Sequence, residues 1–501
     1  MIEIYKMKHT LKSKLLMLLL TLVIICMFFN MGCNVKSWDV RYVSRATGDG
    51  AGGAIVLYDV MKSASWRDFY AQKISADGRS LWGERGVLIG SGNKKSDAFF
   101  ELQIVSDDAG GAIVALATYS PPERGTYDYQ LSGVDIARID TKGSMLWQRE
   151  TVTADQMISD GNGGAIIASD HGGTLLIIKV DSEGGFPWGE DGVFIDSSGY
   201  QDSTLQLASD GTGGAIIIWQ EDIELQAGTD TQNLMVEHMI LAQRVNSEGN
   251  LSWSQDGVNI YTTQEDVFVF EPRIVSDYFG AIVIWSQIPE GQISNKQSSH
   301  ALLSDVYVQK LDTNGSILWQ ANGIPLGISK LEGELVRCRL IDAGSDGSGG
   351  AIIAWEEPFS VVTQRIDANG NVIWQPRGVQ ALRSESGWTS RPDMVVDRLG
   401  GAIVTLTFRD DMLKKQGILL HKLDSAGNTV WLVNDIGVDA NDMGVGVHGI
   451  TSDFILPDGQ DGAIIFWSIG RTSFSSGKSY IQRIDSNGKL LWGAGGIRLD
   501  R

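Results

Sequence analysis

The sequence predicts an all-β fold, a ring of eight blades with four antiparallel strands each, the architecture of a β-propeller. Three observations carry this. A Gly-Ala step recurs eight times and puts Ala54, Ala112, Ala165, Ala215, Ala281, Ala351, Ala402 and Ala463 in equivalent positions. A tryptophan follows in every copy: Trp82, Trp147, Trp188, Trp253, Trp319, Trp374, Trp431 and Trp492. The period of roughly 60 residues is that of a repeat array, in which no unit can bury its own apolar face alone. Sixty glycines against ten prolines supply the tight turns such a fold needs.

Each repeat reads as four strands, a to d. Strand a precedes the glycines, as in Pro272–Ser276 and Pro392–Val396. A turn follows, for example Asp49-Gly-Ala-Gly-Gly or Asp346-Gly-Ser-Gly-Gly, in which glycine supplies positive φ and the aspartate accepts backbone N–H groups. An Asx turn is favoured over a calcium loop, because no copy supplies several spaced oxygen ligands. Strand b, as in Ala351-Ile-Ile-Ala-Trp355, is an unbroken apolar run and predicts a strand covered on both faces. Strand c, as in Tyr307–Asp312 or Tyr480–Asp485, alternates polar and apolar residues. A second turn places glycine four residues before each tryptophan, and strand d is expected to carry that tryptophan. A linear β-solenoid is the alternative, with coils usually much shorter than these repeats. Repeat one opens with strand a and repeat eight ends with strand d, which predicts closure by face packing without a shared blade.

The segment Ile366-Asp-Ala-Asn-Gly-Asn-Val-Ile-Trp374 resembles the tryptophan-docking motif of quinoprotein-alcohol-dehydrogenase-like propellers. That family is typically eight-bladed and includes a lipoprotein of the outer-membrane protein assembly machinery. The resemblance implies that each tryptophan docks against the next blade.

Residues 1–33 read as a leader and residues 34–501 as a single propeller domain. Lys6, Lys8, Lys12 and Lys14 precede an uncharged apolar run of fifteen residues, Leu15 to Phe29, short for a spanning helix and suited to an export signal. The end at Asn30-Met-Gly-Cys33 is similar to a bacterial lipoprotein signal, which implies lipidation at Cys33; an uncleaved N-terminal anchor is the alternative. Either way the expected location is the outer face of a bacterial membrane. Cys26, Cys33 and Cys338 are the only cysteines, so the exported body has no internal disulfide, and Cys338 is expected as a small buried hydrophobe.

Net charge is −20, and −23 once the leader's four lysines and Glu3 are set aside. That field repels nucleic acid and anionic lipid heads. Expected partners are a protein or a carbohydrate at the cell envelope, with the membrane reached through the N-terminus.

Strand alternation puts the a–b and c–d turns on one face and the b–c and d–a connections on the other. The b–c connections at 120–133, 221–237, 286–304 and 409–416 are long, and variable loops on a rigid scaffold are where recognition sits. Strand b ends near that face in Trp219, Trp285, Trp355 and Trp467, followed twice by acids, Glu221-Asp222 and Glu356-Glu357. Trp219, Glu221, Asp222, Trp285, Trp355 and Glu356 are therefore the candidate ligand-binding residues, as aromatic platforms beside carboxylates. The competing role for these rings is to fill space between blades.

No catalytic residue, cofactor or metal site is expected. His171, His238 and His300 fall singly without metal-binding spacing. There is no Gly-x-Ser-x-Gly elbow, P-loop or dinucleotide fingerprint. The sequence therefore favours a tethered, non-catalytic binding module, ahead of an envelope assembly or scaffold factor, and an exported hydrolase or quinone-dependent enzyme comes last.

Overall fold

A computed structural model describes residues 41–499, except 64–65, 94–98, 121–129, 152–153, 172, 198–204, 226–234, 264–267, 278–279, 289–303, 328–329, 332–333, 336–338, 358–359, 384–387, 411–414, 435, 437–448 and 471–477. The leader with Cys33, together with Cys338, His300 and the tips of the long b–c connections, lies outside the described residues. Among the described residues no helix is long and apolar enough to cross a membrane.

The eight blades follow one another in sequence. Blade one is β1 (Arg41–Gly48), β2 (Ala54–Met61), β3 (Trp66–Ile74) and β4 (Val87–Asn93). Blade two is β5 (Phe99–Ser106), β6 (Ala112–Ser120), β7 (Gln130–Ile139) and β8 (Met145–Thr151). Blade three is β9 (Gln156–Ser159), β10 (Ala165–Asp170), β11 (Thr174–Val180) and β12 (Val193–Asp196). Blade four is β13 (Gln206–Ser209), β14 (Ala215–Leu225), β15 (Met235–Val245) and β16 (Val258–Thr263). Blade five is β17 (Phe268–Ser276), β18 (Gly280–Ile288), β19 (Asp305–Asp312) and β20 (Ile324–Gly327), followed by a two-stranded ribbon, β21 (Lys330–Leu331) and β22 (Glu334–Leu335). Blade six is β23 (Arg339–Ser345), β24 (Ala351–Glu357), β25 (Ser360–Ile366) and β26 (Val379–Arg383). Blade seven is β27 (Trp388–Val396), β28 (Ala402–Asp410), β29 (Lys415–Leu423) and β30 (Thr429–Val433). Blade eight is β31 (Gly449–Pro457), β32 (Ala463–Gly470), β33 (Lys478–Ile484) and β34 (Ile497–Arg498).

Every blade is an antiparallel a-b-c-d sheet contributed by contiguous chain, so no strand is exchanged between the first blade and the last. The a strands touch their neighbours all the way round, β31 meeting β1, and therefore line the axis. Strand b is buried along both faces, as its unbroken apolar run requires. Strand c, despite its alternation of polar and apolar residues, is buried as well. The reason is that its polar residues, Gln72 and Lys73 in blade one, are used inside the ring instead of in water.

Three repeated devices hold the blades. In seven blades the turn aspartate is seen to form an Asx turn: Asp49 Oδ1 accepts from the amides of Ala51 and Gly53 at 2.9 and 2.7 Å, and Asp346 Oδ1 from Ser348 and Gly350 at 2.8 Å. Its other oxygen faces a strand-c cation five residues before the c–d glycine. That cation alternates around the ring: Lys73, Lys179, Lys310 and Lys422 in odd blades, Arg138, Arg244, Arg365 and Arg483 in even ones. The alternation has a geometric counterpart. Each lysine reaches the a–b turn of the next blade, at the carbonyls of Gly110, Gly213, Gly349 and Asp461, 2.5–2.6 Å away. Each arginine instead reaches the next blade's c–d turn, at the carbonyls of Ser182, Thr313, Ser425 and Ala76. The ring is thus four pairs of blades, with two kinds of interface in alternation.

The second device is tryptophan docking. Every one of the eight indoles donates Nε1–H to a c–d turn carbonyl of the following blade, from Trp82 to Thr141 at 3.1 Å round to Trp492 to Ala76 at 3.0 Å. The following blade's glycine lies on the ring; a Cβ on Gly143 would stand 2.8 Å from Trp82, which is why that position has no side chain.

The third device corrects the expectation that strand d carries the tryptophan. It does so only in blades two and seven, where Trp147 lies in β8 and Trp431 in β30. In blades one, four, five, six and eight the tryptophan stands before strand d, after a single bridge such as Ile74↔Ser80. Those five blades carry a strand-c glutamine: Gln72, Gln243, Gln309, Gln364 or Gln482. In blade six, Gln364 Oε1 accepts from the Trp374 amide at 3.1 Å and its Nε2 donates to the Gln375 carbonyl at 2.7 Å. The side chain replaces the ladder bonds lost where the chain leaves the sheet. Blades two and seven have Ala137 and His421 in that position, and there strand d stays paired.

Candidate functional site

The tryptophans expected at the end of strand b lie inside it, since β14, β18, β24 and β32 run on past Trp219, Trp285, Trp355 and Trp467, and all four are core. Trp219 and Trp285 are 0% exposed and Trp355 is 1% exposed, each ring covered by the preceding blade. Trp285 packs between Tyr261 and Tyr307, with centroids 5.3 and 5.8 Å away. None presents an open aromatic face, so the space-filling role is the one the structure gives them. Alternation also rearranges the pairs read from sequence, because residues two apart share a face. Trp219 donates to Glu221 Oε1 at 2.7 Å, while Trp355 donates to Glu357 at 3.2 Å and leaves Glu356 on the other side, opposite Arg339. Burial raises the Glu221 carboxyl above its ordinary value, helped by the charge of Asp196 and opposed by the indole bond. Asp222 turns the other way, accepting from Gln220 at 3.2 Å and meeting His238 Nδ1 at 2.7 Å.

The polar groups gathered around the axis come from strand a, which sequence reading passed over. Four residues before each turn aspartate stand Arg45, Gln103, Gln156, Gln206, Arg273, Asp342, Asp393 and Phe454, seven of them polar in otherwise apolar strands. In blades one, five, six, seven and eight the register shifts at or beside this residue, a bulge that re-aims its side chain. Several reach across to the next a strand. Arg45 Nε donates to the Leu102 carbonyl at 3.4 Å, Gln103 Nε2 to the Asp155 carbonyl at 3.0 Å, and Asp393 Oδ2 accepts from the Ile455 amide at 3.1 Å.

Nearer the face that carries the b–c connections, Glu101 at the start of β5, Tyr119 at the end of β6 and Asp155 just before β9 converge. The Tyr119 hydroxyl is hydrogen-bonded to both carboxylates. Burial, then the charges of Asp155 and Glu101, push the phenol well above its ordinary range. Burial and the Asp155 charge raise the Glu101 carboxyl, with Arg45, Tyr119 and Gln103 pulling it down. Asp155 Oδ2 also accepts from the Asp170 amide at 3.3 Å. Two carboxylates bridged by one phenol suit a ligand that offers cationic or hydroxyl donors. Among the described residues no group of three or more His, Cys, Asp or Glu side chains has metal-holding geometry. The signal for this site was a polar residue at one fixed offset from the turn aspartate, visible once the a strands are superposed.

No family model matches the sequence, and no curated protein matches it either. Solved structures resemble it at low identity. The propeller domain of the Trilobed protease from Pyrococcus furiosus aligns at 10% identity and TM-score 0.38, covering 77% of this chain and 95% of that one. Prolyl oligopeptidase B from Galerina marginata aligns at 12% identity and TM-score 0.43, over 91% of this chain and 51% of the other. The acylaminoacyl peptidase from Pyrococcus horikoshii gives 12% identity and TM-score 0.39, over 79% and 53%. This chain spans about half the length of the last two. The protein is an eight-bladed β-propeller. Its strand pairing and closed ring establish that, and likeness at this level carries nothing about chemistry from those peptidases to this propeller.

Proposed function

We propose that this propeller is an exported, non-catalytic binding module, tethered through Cys33 or an uncleaved leader to the outer face of a bacterial membrane, that holds an envelope protein or glycan. The observation that carries the reading is the convergence of Glu101, Tyr119 and Asp155 at the end of the ring where the long connections emerge. Half-buried carboxylates hydrogen-bonded to a phenol recognise ammonium, guanidinium or sugar hydroxyl groups, and variable connections around them supply shape.

The test is capture by the body from Asn34 onward on a glycan panel and on lysine- and arginine-rich peptides, beside a Glu101→Gln, Tyr119→Phe, Asp155→Asn triple variant. Capture lost in the variant at unchanged melting temperature supports the reading. Equal capture by both moves recognition away from the axis, and no capture by either sinks the module. One observation favours a second reading, an envelope assembly or scaffold factor: all eight indoles dock on the next blade, as the resemblance to tryptophan-docking propellers implies. Co-purification of stoichiometric envelope proteins with the wild type, retained in the triple variant, would select it.

A further inference from the structure

The pairing of an indole with an acid two residues on recurs at the surface of blade one. Trp219 and Trp355 make it inside the ring, where the preceding blade covers them. Trp66 makes it too, donating Nε1–H to Asp68 Oδ1 at 3.2 Å, but among the described residues it is the only exposed tryptophan, at 41%. It opens β3 where the b–c connection of blade one ends, on the face that carries the other b–c connections. Its indole is held from below. Asp68 is 1% exposed and accepts two bonds on each oxygen, from Trp66 and, at 2.7 Å, Ser91 Oγ on Oδ1, and from the Tyr70 hydroxyl at 3.1 Å and the Lys62 ammonium on Oδ2. Burial pulls the Asp68 carboxyl up, yet the bonds from Lys62, Ser91 and Tyr70 hold it below its ordinary value, so it stays ionised at neutral pH. The main chain is pinned as well, since the Lys62 amide donates to the Trp66 carbonyl at 2.9 Å and Trp66 pairs with Asn93 of β4. A ring fixed in this way has little ordering left to lose when a ligand arrives.

We propose that Trp66 and Lys62 form a carbohydrate-binding platform on blade one, in which a pyranose ring lies on the indole and one of its oxygens accepts from the Lys62 ammonium. The fixed indole offers a broad apolar surface to the C–H face of a sugar, and a donor beside it sets the sugar's orientation. Lys62 closes the hairpin opposite Trp66, and its side chain is 53% exposed. An ammonium carries three donors, of which Asp68 takes one, so two remain for a hydroxyl or carboxylate oxygen. Arg67, on the opposite face of the strand, is already held by Asp59 at 2.7 Å. The platform stands in blade one and the Glu101 cluster in blades two and three, so each can hold without the other.

The test is calorimetric titration of the full-length protein with chitotriose as a neutral probe and trigalacturonate as an acidic one. Beside the wild type stand Trp66→Ala, Trp66→Tyr, Lys62→Met and the Glu101→Gln, Tyr119→Phe, Asp155→Asn triple variant. The wild type should bind at least one sugar, and Trp66→Ala should weaken that binding by about tenfold or more at an unchanged melting temperature. Trp66→Tyr, which keeps an aromatic ring, should recover part of the loss. Lys62→Met should weaken binding too, that of trigalacturonate the more, and no effect on either sugar overturns the part given to the ammonium. Binding of neither sugar, or binding that Trp66→Ala leaves intact, overturns the platform. Binding kept by the triple variant and lost in Trp66→Ala supports the platform and counts against the Glu101 cluster as the glycan site, whereas loss in the triple variant alone does the reverse.

Discussion

Trp492 donates its indole N–H to the carbonyl of Ala76 at 3.0 Å, and these two residues, 416 positions apart, close the ring. The same carbonyl accepts from Arg483 Nη1 at 3.3 Å. No strand crosses this joint, so side chains and packing alone hold it. Replacing Trp492 by Ala should cost about 3–5 kcal/mol, as expected for removing a buried tryptophan. Denaturant unfolding gives the magnitude. Exchange should locate the opening first at β1 and β33, and uniform loss of protection around the ring would contradict the assignment.

The glycine that lies on each indole is required by contact as well as by φ. Gly427 has φ +82° and a Cβ there would stand 2.9 Å from Trp374, whereas Gly161 has φ +74° with nothing within 4 Å. Gly161→Ala should cost about 1–2 kcal/mol from the left-handed conformation alone. Gly427→Ala should cost that plus about 1–3 kcal/mol of overpacking. Equal melting-temperature losses would show that the ring moves aside freely.

Lys310 bonds Asp277 at 2.6 Å and the Gly349 carbonyl at 2.6 Å, and its side chain is buried. Removing one partner of a buried pair strands the other, so Lys310→Met should destabilise by about 3–5 kcal/mol. The exposed pair Arg79–Asp77 is a control, and Arg79→Met should leave urea midpoints unchanged.

Gln364 is buried and stands in for two ladder bonds at the point where blade six leaves its sheet. Gln364→Ala leaves the Trp374 amide and the Gln375 carbonyl without it, at about 2–4 kcal/mol for the two stranded groups. Chemical denaturation measures this, and a loss below 1 kcal/mol, roughly one ordinary hydrogen bond, would mean that other partners take over.

His421 occupies the position of those glutamines in blade seven, bonded to the Ala381 carbonyl and, at 2.9 Å, to Thr429 Oγ1. Burial lowers its pKa against the pull of the Ala381 bond. The folded state therefore prefers the neutral ring, and stability should fall as pH drops below the ordinary histidine value of 6.5. His421→Gln should flatten this part of the curve, read as the melting-temperature difference from wild type between pH 7.5 and pH 5. A constant difference would refute it.

The sequence by itself determined the ring. The repeated Gly-Ala step, the unbroken apolar strand b and the glycine four residues before each tryptophan leave few ways to bury eight sheets. The reason is local: turn geometry and strand burial are written in neighbouring residues, and eight copies multiply the signal. The Asx turns were legible for the same reason, whereas the docking of the tryptophans on the next blade came from the resemblance to tryptophan-docking propellers. The site was less so. Trp219, Trp285 and Trp355 looked like platforms because a tryptophan closing an apolar run reads the same whether a neighbouring blade covers it or water does. Only the packed ring places the preceding blade over each indole and turns Glu221 inward to meet it. Likewise Glu101 and Tyr119 come from two strands of blade two and Asp155 from the segment just before β9 in blade three. Which side chains face the axis depends on bulges in strand a, and those are set by how each blade fits its neighbours, a tertiary fact that no single repeat records.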